Sequence, residues 1–131
     1  MSTYKRFEEI EVWQKARELA QKVYRLSTEG SFAKDFKLRD QMNGSAGSIM
    51  DNIAEGFERD GKKEFIQFLS IAKGSADELR SQLYCAHDRD HISKEAFDTS
   101  QEEVIQLSKQ ISGFMHYLKA SEYRGTKYIN E

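Results

Sequence analysis

Proline is absent from this chain of 131 residues, and only 8 are glycine. Sandwiches and barrels need many tight turns, so that scarcity argues for helices joined by short connections. One cysteine, Cys85, rules out an internal disulfide and a cysteine-rich zinc site. No apolar run approaches the roughly 18 residues of a membrane span, and MSTYKRFEEIEVW at the N-terminus lacks the apolar core of a signal peptide. A soluble cytoplasmic protein is expected. No charge of one sign dominates either. The net charge is −2 and the cations are interleaved with acids, so a basic nucleic-acid or membrane tail is not indicated.

What is present is amphipathic. Charged residues make up 32% and hydrophobic residues 38%, which fits helices with one solvated face. The stretch Gln41 to Arg59, QMNGSAGSIMDNIAEGFER, organises the rest. Leu38, Met42, Ala46, Ile49, Ile53 and Phe57 form an apolar stripe at helical spacing. Gln41, Ser45, Ser48, Asn52, Glu55 and Arg59 form a polar stripe beside it. Gly44 and Gly47 would each cost about 1 kcal/mol in a helix interior, but both stripes keep phase through them. The segment is therefore read as helix, with the glycines on a third side where another helix could approach closely.

Four helices are expected, at about 7–28, 36–59, 62–88 and 94–119. Gly30 stops the first, Phe32 and Phe36 close the end of the core, Asp60 caps the third and Ser93 the fourth. The fold class is all-α, an up-down-up-down antiparallel four-helix bundle in one domain over residues 1–120, with a loose tail at 121–131. Pairing the second and third helices around Asp60-Gly61 sets Ser45 and Ser48 level with Ser75 and Glu78, and Gln41 level with Gln82. The two polar stripes are then expected to meet along one hydrogen-bonded seam, with the Glu78 carboxylate supplied with donors.

Asn52-Ile53-Ala54-Glu55-Gly56, preceded by Gln41 and Ser48-Ile49, resembles the signature of the four-helix-bundle proteins encoded in 23S ribosomal-RNA intervening sequences. The likeness continues in Glu64-Phe65, Phe68-Leu69, Ile71-Ala72-Lys73-Gly74-Ser75 and Glu78-Leu79, with Val12-Trp13 and Val23-Tyr24 near the start. It implies a small helical protein without enzymatic activity that assembles as a homopentamer. A related branch, the accessory proteins of diversity-generating retroelements, binds a reverse transcriptase and nucleic acid. That implies an alternative role here, binding RNA or a ribonucleoprotein. The family usually has basic residues after the Gln of the second helix, where this chain has Met42, Asn43 and Gly44, and a Pro where it has Met50-Asp51. The missing cations weaken the nucleic-acid role.

Sites of chemistry are few. His87 and His91 have the spacing of a helical zinc pair, but a third ligand is lacking and the helix should end there, so no metal is expected. A di-iron bundle needs Glu-x-x-His motifs, and there are none. Asn-Gly-Ser-Ala-Gly-Ser lacks the Gly-x-x-x-x-Gly-Lys spacing of a phosphate loop. Cys85 and His87 are two apart and do not face each other on a helix. Asn52 and Glu55 read as partners of a neighbouring helix or subunit rather than as catalysts. Tyr123, Arg124, Lys127 and Tyr128 mix aromatic and basic side chains as some RNA contacts do. No catalytic residue, cofactor or small-molecule substrate is expected.

Overall fold

Each apolar stripe becomes one helix of a computed structural model that describes residues 4–121: α1 (Glu11–Ser27), α2 (Phe36–Glu58), α3 (Lys62–Asp88) and α4 (Lys94–Ala120). The expected tail with Tyr123, Arg124, Lys127 and Tyr128 lies outside the described residues. Neighbouring helices pack as the sides of a square, α1 on α2, α2 on α3, α3 on α4 and α4 on α1. The α2–α3 side is the most extensive and the α1–α4 side the sparsest. Among the described residues the protein is all-α, and no helix is long and apolar enough to cross a membrane.

The first helix starts later than its periodicity implies. Residues Phe7–Glu9 form a separate 3-10 turn, and Ile10 is extended at φ −80°, ψ 125°. That break turns the Ile10 side chain into the core, where it is 1% exposed. The Gln14 side chain donates to the Glu8 carbonyl at 2.8 Å and holds the turn against α1. Gly30 follows α1 at φ +56°, a left-handed conformation that suits glycine. A 3-10 turn over Gly30–Lys34 then buries Phe32. Phe36 does not close the core as expected. It is 62% exposed, with the Arg39 guanidinium 4.9 Å from its ring centre, because the first position of α2 points away from the stripe.

Helix α2 runs unbroken through Gly44 and Gly47. The turn into α3 is set by Gly61 at φ +142°, which occupies the N-cap position itself. Asp60 sits one residue too early, so it does not cap α3, and among the described residues no side chain does. Ser93 caps α4 by accepting from the Ala96 N–H at 3.1 Å. At the far end Lys62 donates to the carbonyls of Lys119 and Ser121, tying the start of α3 to the end of α4.

Helix α3 ends in a Schellman arrangement: Asp90 N–H donates to the His87 carbonyl and His91 N–H to that of Ala86, both at 2.9 Å. The left-handed position falls on Asp90, φ 61°, where a Cβ is unfavourable. Asp90→Gly is therefore expected to stabilise the protein by about 1 kcal/mol. Urea denaturation checks this, and a loss of stability would show that Asp90 is held by something other than its backbone.

Candidate functional site

The polar stripes meet where α2 and α3 cross. The Ser48 and Ser75 hydroxyls are 2.8 Å apart. The Asn52 amide donates to Ser48 Oγ at 2.9 Å and to the Ser48 carbonyl at 2.8 Å. Either hydroxyl can donate to the other while Ser48 accepts from Asn52, so a small hydrogen-bonded chain links the helices. Ser45 and Ser75 are buried beside it. The Gln82 carbonyl oxygen is also buried, with no hydrogen-bond partner among the described residues.

Other members of the expected seam lie elsewhere. Glu78 is exposed, as is Gln41. Ser75 and Glu78 are three residues apart, about 60° around the helix, enough to carry a long carboxylate out of the contact. Water solvates that charge better than two hydroxyls would. Glu55 is likewise exposed and pairs within its own helix, its Oε2 lying 3.0 Å from Arg59 Nη2 and 3.1 Å from Nε. The pairing holds the Arg59 guanidinium over Phe68, 5.2 Å from the ring centre.

The glycines of α2 have different surroundings. Gly44 and Gly47 face open space, and a Cβ on either would meet nothing within 4 Å among the described residues. Within the subunit the close approach belongs to Gly56, where a Cβ would lie 2.7 Å from Phe68 Cβ and 3.0 Å from Phe65 Cδ1. The helices converge towards the short Asp60-Gly61 turn, so the tight crossing falls near it. Gly44 and Gly47 lie on the outer side of α2.

Two further polar joints went unforeseen. Asn43 donates to the buried Ser27 Oγ at 2.9 Å and joins α2 to α1. The second joint clamps the start of α2 to the α3–α4 turn. Asp35 caps α2, accepting weakly from Leu38 N–H at 3.4 Å. Its Oδ2 also accepts from Arg89 at 2.8 Å and faces His91 Nε2 at 2.9 Å. Ser31 Oγ lies 2.8 Å from the other ring nitrogen of His91, and the ring stacks on Phe32. Ser31 and Asp35 are some sixty residues from His91, so no local spacing signals the cluster. His87 instead packs on Phe97 with ring centres 4.7 Å apart, and α3 ends at Asp88, so the two histidines do not share a helical face. Among the described residues no three His, Cys, Asp or Glu side chains group as a metal set.

The His91 and Arg89 donors, His91 first, hold the Asp35 carboxyl down at about 2, from an ordinary 3.8. In the unfolded chain this group takes up its proton first as the pH falls. Its stabilising contribution is therefore complete above about pH 4 and is lost between about pH 4 and 2. Asp35→Asn is expected to lower Tm near neutrality, with the gap to the wild type closing towards pH 2. Thermal scans across that range check it; a gap independent of pH would show that the carboxylate charge is not what matters.

A groove of about 550 Å³ runs between α1 and α4, bridged by Lys22 and Glu103 at 2.7 Å. Its lining of Lys, Arg, Glu, Gln and Leu holds no Ser, Cys or His that could pair as nucleophile and base.

The model of a family described as 23S rRNA-intervening sequence proteins matches residues 8–113. The fold is similar to that of a crystal structure from Bacteroides thetaiotaomicron, a protein of unknown function from the S23 ribosomal protein family. The TM-score is 0.73 at 23% identity, covering 79% of this chain and 97% of that one. No curated protein matches the sequence.

Proposed function

The chain belongs to the 23S rRNA-intervening sequence protein family, and from that premise we propose that it works as a non-enzymatic, homo-oligomeric helical scaffold, a pentamer that binds a partner through its assembled surface. The observation that carries the reading is how the family motif is used. Asn52 spends its amide on Ser48, Glu55 its carboxylate on Arg59, and Gly56 its missing Cβ on Phe68. The first two contacts brace α2 and the third admits α3, so these are packing roles, and a motif used in this way serves the shape of the subunit. Gly44 and Gly47, with open space above them, leave the outer side of α2 accessible to a neighbour.

Native mass spectrometry tests the assembly, with a five-subunit species expected and a single subunit at all concentrations overturning it. Affinity purification at low salt tests the partner. A protein partner retained after nuclease treatment supports the scaffold. RNA released steeply as salt rises would replace it with an RNA- or ribonucleoprotein-binding accessory role.

A further inference from the structure

Two exposed features on adjacent sides of the bundle complement each other. The first is a groove of about 460 Å³ between α1 and α2, lined by Ala20, Tyr24 and Met50 and flanked by Arg17 and Arg25. Tyr24 is 62% exposed. Neither arginine has a carboxylate partner among the described residues; Arg17 only lies near the Trp13 ring, at 5.9 Å. The second is a ridge on α3. Ile71 is 52% exposed, one turn before Ser75 and therefore on the flank of α3 beside α2. Gly74 next to it has open space, and Glu78 follows, exposed and without a cation partner among the described residues. A large aliphatic side chain in water beside an unpaired acid matches an apolar groove edged by unpaired cations.

We propose that a second copy of this chain is the occupant: Ile71 of one subunit seats in the Ala20–Tyr24–Met50 groove of the next, and its Glu78 faces Arg25 there. The proposal rests on the homo-oligomer reading and deepens it by assigning the contact. Helices α1 and α3 run in the same direction, being separated by two reversals of the chain. With Ile71 level with Ala20, Glu78 lies about 10 Å further along and Arg25 about 7.5 Å further, a difference within side-chain reach. The contact is heterologous, since groove and ridge are different surfaces. Because they lie on adjacent sides of the square, each copy is turned strongly relative to the last, and few copies close a ring.

Cross-linking tests this. In a Cys85→Ser background, Ala20→Cys and Ile71→Cys together are expected to give a ladder of disulfide-linked subunits under mild oxidation. Each cysteine alone should give none, because in a heterologous contact neither residue meets its own copy. In parallel, Ile71→Arg and Ala20→Arg should each shift the native mass to that of one 15.2-kDa subunit. Circular dichroism should stay near the wild-type helical value and thermal unfolding should stay cooperative, at a Tm lowered by the loss of assembly, showing that the subunit still folds. An assembled wild type with no ladder, or folded arginine variants that remain assembled, overturns this contact and leaves the homo-oligomer reading intact. A wild type that is a single subunit overturns both. A ladder from either cysteine alone indicates a two-fold contact and also overturns the assignment.

Discussion

Replacing Phe65 by Ala is expected to lower the stability of the subunit by about 3–5 kcal/mol. Phe65 is fully buried on α3, edge-on to Phe57 of α2 at 6.0 Å and to Phe114 of α4 at 5.6 Å. Its ring is thus shared by three helices at the end of the bundle near the Asp60-Gly61 turn. Truncation loses the burial of the ring and leaves a cavity that three helices cannot close together, because the short turn limits how far α2 and α3 can shift. The edge-on contacts add to that loss beyond area alone. A domain of this size has about 5–15 kcal/mol in total, so the variant should unfold at distinctly lower urea with a similar slope. A loss under about 1 kcal/mol would mean that the three rings repack around the gap.

The second large effect is expected at Gly56. In an open helix interior, Gly→Ala gains about 1 kcal/mol, and Gly44→Ala and Gly47→Ala should show that gain in the isolated subunit, since among the described residues nothing stands within 4 Å of the added methyl. At Gly56 the sign reverses. The new Cβ would lie 2.7 Å from Phe68 Cβ and 3.3 Å from the Phe65 carbonyl oxygen. Neither atom moves when a side chain rotates, so only a shift of α3 relieves the overlap. Overpacking of this kind costs about 1–3 kcal/mol, enough to outweigh the propensity gain, and Gly56→Val should cost more. Because Phe68→Ala keeps its Cβ, it should not rescue Gly56→Ala. Equal stabilities for Gly56→Ala and Gly44→Ala would show that the helices separate freely at the crossing.

These two positions show how far residues alone carry the reading. Leu38, Met42, Ile49 and Phe57 mark the buried face of α2 because a helix repeats at a fixed angle, and all four are buried. Gly56 stood out only as part of a motif. Its physical reason needed the path of α3, which brings Phe68 against it. Glu78 was placed beside Ser75 on the strength of spacing, but spacing reports an angle around the helix and not depth below the surface. Ile10 fits the helical period of α1 and still lies outside it, because the core draws its side chain inward through an extended backbone.

Periodicity and composition by themselves determined the helical class, the helices and the apolar stripes, because these depend on residues a few positions apart along one chain. The Asn52 motif marked the family for the same reason, being contiguous. Tertiary structure alone decided which glycine another helix approaches closely and which polar residues touch. It brought Ser31, Asp35, Arg89 and His91 into one cluster, and it left the Ile71 ridge and the Tyr24 groove facing water. Those outcomes depend on how the helices cross, and a crossing is settled by packing between segments distant in sequence. So the stretch from Gln41 to Arg59 keeps its central place with a sharper division: its Gly56 end closes the subunit, and its Gly44–Gly47 side stays open.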